Sequence, residues 1–170
     1  MNHQTHIKGV VNIETKKSKI NNGKKWEQLC RKYLEKMGYL VIRLQDSPSS
    51  FGRDSTFVRF TRANMADYIV YKYPDIHIIE CKSFNNASMP FGNIRESQLN
   101  AMNEISEKNM NGVQVGFLIE ASRYGEYYYI NINEVSNYME SSGRKSFPKA
   151  FFEEKGYELI KSKGIFERKK

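Results

Sequence analysis

The stretch Asp67–Lys82, D-Y-I-V-Y-K-Y-P-D-I-H-I-I-E-C-K, decides how the rest of the chain is read. β-Branched and aromatic residues fill two apolar runs, Ala66 to Tyr71 and Ile76 to Lys82, and Lys72-Tyr73-Pro74-Asp75 between them has the chemistry of a turn. The pattern predicts a β-hairpin. Side chains alternate along a strand, so Glu80 and Lys82 share one face while Ile79 and Cys81 take the other. A turn that leaves Tyr71 opposite Ile76 sets Asp67 directly across from Glu80, where neighbours lie roughly 4.5 to 5.5 Å apart and like charges repel. A one-residue shift of the turn sends Asp67 to the opposite face. In the first register two carboxylates are forced together inside an apolar hairpin, and a divalent metal ion and the Lys82 ammonium would answer their charge. The plainer reading is a half-exposed hairpin whose Glu and Lys keep an edge in solution.

With 170 residues and an apolar share of 39%, the chain is long enough to bury a sizeable core in one domain. No apolar run approaches the roughly 20 residues that span a bilayer, and the opening M-N-H-Q-T-H-I-K lacks the apolar core of a signal peptide. Cys30 and Cys81 form no C-x-x-C pair and read as buried small residues in a reducing compartment, so a cytoplasmic protein is expected. His3, His6 and His77 are too scattered for a zinc site. The net charge of +8 suits a polyanionic partner such as nucleic acid, without naming it.

Residues 1–20 are polar and carry Lys8, Lys16, Lys17 and Lys19; a flexible basic arm is expected, either contacting phosphates or serving no role. Trp26, Leu29, Cys30, Tyr33, Leu34 and Met37 recur at the spacing of one buried helix face, which predicts a helix over 24–37 closed by Gly38. Glu27 lies about 100° around that helix from Trp26. It either points into a cleft beside the sheet or pairs with Arg31 one turn on. Tyr39 to Leu44 is the first strand, followed by a long polar connection, Gln45 to Asn64, in which Arg53, Arg59 and Arg62 interleave with Phe51, Phe57 and Phe60. Guanidinium forks grip phosphates and rings stack on bases; Phe57-Val58-Arg59-Phe60 also reads as a short strand feeding the core.

Beyond the hairpin, Ser83 to Gly92 reads as a loop, and Asn93-Ile94-Arg95-Glu96 as a capping box opening a helix to about Asn109. Gln98 falls off the apolar stripe of that helix. It is either solvated or, should the helix start beside the carboxylates, placed to hold a water or phosphate. Strands are expected over 112–121 and 126–132, a short helix over 134–139, a basic loop at Ser141–Ser146 and a helix from Pro148 to about Lys155, with a frayed end after it.

Helix with Glu27, strand, strand with Asp67, strand with Glu80-Cys81-Lys82, helix with Gln98, two strands: this order resembles the PD-(D/E)xK nuclease superfamily. Its restriction-endonuclease-like core is an α/β arrangement, αβββαβ, with a mixed central β-sheet flanked by helices. Within it the chain is similar to RecU-type Holliday junction resolvases, through Asn22-Gly23…Glu27, Asp67-Tyr68, Glu80-Cys81-Lys82, Met89-Pro90-Phe91 leading to Gln98-Leu99, and Gly143-Arg144-Lys145-Ser146. The likeness runs from about residue 21 to 156, and residues 21–170 are expected to form a single nuclease domain with a basic loop or reduced stalk at 46–64. The chain departs from the family in three places. Asn22 precedes Gly23 without the family's intervening arginine, the 46–64 segment is short and Phe-rich, and no proline stands before Asp67.

The resemblance, joined to the charge argument, implies Mg²⁺, with Mn²⁺ as a substitute, on Asp67, Glu80 and the Cys81 carbonyl, oxygen ligands that suit hard ions. Glu27 would complete the site through water. Lys82 would orient the nucleophile or neutralise developing charge, and Gln98 would position its neighbours. It further implies a homodimer that nicks branched DNA symmetrically, with Lys24, Lys25, Arg53, Arg59, Arg62, Arg95, Arg144 and Lys145 as DNA contacts, and with neither a membrane nor a nucleotide cofactor involved. Three other readings stand beside it: a restriction-like, repair or transposon-end nuclease acting on duplex or flap DNA, a non-catalytic nucleic-acid-binding module of the same fold, and an RNA-directed nuclease, for which the chain offers no RNP-like aromatic pattern.

Overall fold

Helix α1, Asn22–Lys36, opens the part of the chain that the computed structural model describes, residues 22–44, 64–162 and 165–168. Trp26, Cys30 and Tyr33 are buried on one face, as their spacing predicts. The Trp26 indole N–H donates to the Leu118 carbonyl at 3.0 Å and pins the helix to the sheet. Gly38, at φ +82°, takes the left-handed conformation that closes the helix. Its N–H donates to Glu35 and that of Tyr39 to Leu34, at 3.0 and 3.1 Å, so the last carbonyls are satisfied where a Cβ would be strained.

Three antiparallel strands follow: β1 Leu40–Arg43, β2 Tyr68–Lys72 and β3 Asp75–Phe84. Tyr71 pairs with Ile76 and Lys72 with Asp75, leaving Tyr73 and Pro74 as the turn. This is the register that sets Asp67 across from Glu80. The strand itself starts at Tyr68 rather than Ala66, although the Asp67 N–H still donates to the Ile79 carbonyl at 3.1 Å.

The expected 83–92 loop is partly ordered. Strand β3 runs through Phe84, and Ser88–Pro90 forms β4 ahead of a 3-10 turn at Phe91–Asn93. β4 has a partner remote in sequence: it pairs with β7, Ser146–Pro148, setting buried Met89 opposite buried Phe147. The capping box is not formed. Ile94 adopts extended angles of φ −102° and ψ 118°, goes into the core, and donates its N–H to Phe91 at 2.9 Å. Helix α2 therefore begins later, at Glu96, and runs to Glu107, with Arg95 as an N-cap that makes no side-chain bond. Burial of Ile94 outweighs the local capping signal.

Strand β5, Val113–Ala121, lies parallel to β3, and β6, Glu126–Asn131, returns antiparallel to it. Helix α3, Ile132–Ser141, is capped by the Asn131 side chain accepting from the Asn133 N–H at 2.9 Å. Pro148 ends β7 and stands at the N-cap of α4, Lys149–Lys155, not inside its first turn. The end expected to fray forms a hairpin instead, β8 Tyr157–Ser162 and β9 Ile165–Arg168. It extends the sheet because Tyr157 pairs with Tyr129 and Leu159 with Tyr127, covering aromatic rings that the β6 edge would otherwise expose.

The seven-stranded sheet runs β1-β2-β3-β5-β6-β8-β9, and the parallel β3–β5 pair makes it mixed. Helix α1 packs on one face against Tyr68, Val70, Ile79, Cys81 and Leu118. The other face is a larger core, built around Val115, Phe117, Ile119, Ile130, Phe147 and Phe152, to which α2, α3 and α4 contribute Met102, Val135 and Phe151. The 1–20 arm and the segment 46–63, with Arg53, Arg59 and Arg62, lie outside the described residues.

Candidate active site

Where β2 begins, the β2–β3 ladder stops and Asp67 takes over with its side chain. Its Oδ2 accepts from the Cys81 N–H at 2.8 Å, in place of a further ladder bond. A strand residue directs its N–H and C=O to the same side, so the Cys81 carbonyl also points toward Asp67, beyond the last β2 pair. One residue earlier on β3, Glu80 is only 3% exposed and sits on the α2 side of the sheet.

The two oxygens of Glu80 have different surroundings. Oε1 lies 2.7 Å from the Lys82 ammonium and accepts from the Gln98 amide at 2.9 Å. Gln98 in turn accepts from Lys82 at 3.3 Å, closing a three-membered ring of contacts. Oε2 is buried and, among the described residues, has no hydrogen-bond partner. Gln98 is therefore neither solvated nor off the packed face. It is 1% exposed, one turn before buried Met102, because α2 aims its first turns at the Glu80–Lys82 face of β3.

Burial, and next the charge of Glu80, push the Asp67 carboxyl up to about 7, against the opposing Cys81 amide and Lys82. Glu27 adds to the rise, so its carboxylate acts on Asp67 from α1. Arg31 bonds Glu35 at 2.8 Å, while Glu27 Oε2 lies 3.5 Å from the Arg43 guanidinium at the end of β1. The Tyr68 hydroxyl donates to the Glu27 carbonyl at 3.2 Å and ties this part of α1 to β2. Arg43 was not among the residues singled out from sequence, and Tyr68 was named there only as the neighbour of Asp67. The signal for Arg43 was present, as the one charge in Y-L-V-I-R-L.

The donor set fits a hard divalent cation. It offers a carboxylate whose ionisation burial and the charge of Glu80 oppose, a buried carboxylate oxygen without a donor among the described residues, and a main-chain carbonyl directed toward Asp67. Among the described residues no three His, Cys, Asp or Glu side chains converge as a ligand group, so the groups that would hold such an ion are two carboxylates and a carbonyl, with Glu27 set back on Arg43. Of the expected DNA contacts, Lys24 and Lys25 are exposed on α1, Arg95 at the start of α2, and Arg144 and Lys145 in the loop before β7. The Lys145 carbonyl accepts from the Phe91 N–H at 3.0 Å, which joins that loop to the segment leading into Gln98.

The fold is similar to that of Archaeoglobus fulgidus Hjc, a Holliday junction resolvase from an archaeal hyperthermophile. The TM-score is 0.53 over 79% of this chain and 93% of that one, at 12% sequence identity, a likeness of fold alone. No curated protein matches the sequence. The family model of recombination protein U does match it, over residues 41–166, from β1 through the carboxylate-bearing hairpin to the C-terminal strands, and the chain therefore belongs to the RecU family.

Proposed function

We propose that this protein is a structure-selective endodeoxyribonuclease that resolves four-way DNA junctions by metal-dependent phosphodiester hydrolysis, acting as a cytoplasmic homodimer in recombination and repair. The observation that carries the reading is the unpartnered Oε2 of Glu80 beside an Asp67 whose ionisation is disfavoured, with Lys82 fixed against the same carboxylate. Family membership and the resolvase fold support the choice of substrate.

Asp67, Glu80 and the Cys81 carbonyl would hold Mg²⁺, or Mn²⁺ in its place. Such an ion, when bound, supplies positive charge against the scissile phosphate and acidifies water. Lys82 keeps an ammonium beside Glu80, placed to hold the attacking water or to offset charge that grows on the phosphorus oxygens. Gln98 fixes the rotamers of both partners by bonding each of them. A two-fold dimer presents two such sites to opposed strands of a two-fold junction, which is the physical sense of paired nicks.

The deciding experiment incubates the protein with a four-way junction, a linear duplex and a flap at equal salt, with and without Mg²⁺, and maps the products on every strand. Symmetric nicks on opposed strands of the junction, dependent on the ion, are expected. Equal cutting of linear duplex removes the junction preference, and no cutting in either Mg²⁺ or Mn²⁺ removes the nuclease.

A further inference from the structure

Arg43 is the last residue of β1, paired with Tyr68 and so one position from Asp67; the N–H of the next residue, Leu44, donates to the Asp67 carbonyl at 2.9 Å. Its backbone is thus locked to the strand that carries the site. Its side chain is half exposed, at 50%, and its ion pair among the described residues is a single Nη2 contact to Glu27 at 3.5 Å. A pair this long and this open to water holds the guanidinium only weakly. A planar fork with donors to spare is better matched to a phosphate than to one distant carboxylate oxygen.

The charges at the site say why such a cation is needed. With a divalent ion bound and Asp67 ionised, the three negative charges of Asp67, Glu80 and Glu27 would be answered by that ion and by Lys82, 2.7 Å from Glu80. An incoming phosphodiester, singly negative and gaining charge as it is attacked, meets a neutral site without net attraction. Arg43 is the cation the balance lacks. Resting on the reading of the protein as a metal-dependent DNA nuclease, we infer that Arg43 is a substrate-contacting residue: its guanidinium rests on Glu27 in the free protein and turns to a backbone phosphate beside the scissile bond when DNA binds. Glu27 acts as its holder.

The test measures binding of a labelled four-way junction in EDTA across a salt series, so it does not depend on catalysis. Arg43→Ala is expected to weaken binding about tenfold and to lower the slope of log K against log[salt] by about 0.9, the loss of one phosphate contact. Arg43→Lys keeps the slope. Glu27→Gln, which releases the guanidinium, binds as tightly as the parent or tighter. Arg31→Ala, an exposed arginine of α1 paired with Glu35, leaves the slope unchanged. Equal slopes for the parent and Arg43→Ala, with both Arg43→Ala and Glu27→Gln lowering the melting temperature alike, would make the pair a tie between α1 and β1 and overturn the inference. A parent protein that cuts junctions while Arg43→Ala binds normally sinks only Arg43; a parent that neither binds nor cuts junctions sinks the nuclease reading with it.

Discussion

Gln98 donates its amide to Glu80 Oε1 at 2.9 Å from a different layer of the fold, helix to sheet, with both side chains essentially inaccessible to solvent. A buried carboxylate that had to find its own rotamer would be free to turn its second oxygen away from Asp67. The Gln98 bond, with that of Lys82, holds Oε1 and leaves Oε2 as the oxygen without a donor among the described residues. Substituting Gln98 with Leu, close in size and unable to bond, is expected to weaken metal affinity roughly tenfold to a hundredfold, as loss of a residue orienting a ligand does. The protein should remain folded, at a cost of about 1–3 kcal/mol for the unpaired partners. Calorimetric titration with Mn²⁺, alongside thermal denaturation, separates the two effects. Unchanged Mn²⁺ affinity would reduce Gln98 to a packing role.

Asp67→Asn and Glu80→Ala should each abolish ion-dependent cleavage while leaving junction binding within a few-fold of the parent. Lys82→Ala should abolish cleavage and still bind Mn²⁺, since the ammonium is not a ligand. Cleavage that survives both carboxylate substitutions would take these residues out of the reaction.

The raised Asp67 pKa has a definite sign for stability. The folded protein holds that proton up to about 7, against an ordinary value of 3.8, so between those values the folded state binds more protons than the unfolded one. The contribution is fully present below the ordinary value and is lost as pH rises through the folded one. In EDTA the melting temperature should therefore fall from about pH 5 to about pH 8 more steeply in the parent than in Asp67→Asn. Added Mg²⁺ should recover the loss at the upper end, and its binding below neutrality should release a proton, readable by calorimetry in buffers of different ionisation enthalpy.

Gly116 lies in the middle of β5, where a Cβ would strike the Ile130 carbonyl oxygen and lie 2.8 Å from the Tyr129 hydroxyl. Gly116→Ala is expected to cost about 1–3 kcal/mol through the forced shift of β6. Denaturant unfolding measures it. A neutral result would mean that β6 moves freely against β5.

A chain ending at Gly156 loses β8 and β9, and with them the partners of Tyr127, Tyr128 and Tyr129 on β6. Marked loss of thermal stability and faster proteolysis are expected. A truncated protein as stable as the full chain would make the terminal hairpin an appendage.

Much of this was legible in the residues alone. The two apolar runs and the Pro-Asp turn predict the hairpin and narrow its register to two, and the one the structure adopts, Tyr71 opposite Ile76, is the one that sets Asp67 across from Glu80. The 3.6-residue spacing from Trp26 to Met37 did the same for α1, and Gly38 for its end. Four features were not legible. Ile94 enters a core assembled from remote elements and cancels a local capping box, and β4 finds its partner in β7, more than fifty residues away. The terminal hairpin reads as charged coil until the β6 edge is there to receive it. Gln98 looks like a surface amide until α2 is laid across β3.

Short-range chemistry therefore determined which residues carry charge, that α1 and the 68–84 hairpin form, and that Glu80 and Lys82 share one side of their strand, since these depend on neighbours a few positions apart. Tertiary structure alone decided that a glutamine on a helix would lock one oxygen of Glu80, that the other would be left without a donor, and that Glu27 would lean on Arg43. Those outcomes depend on how far layers approach and how completely water is excluded between them, and no periodicity in a single chain encodes either distance.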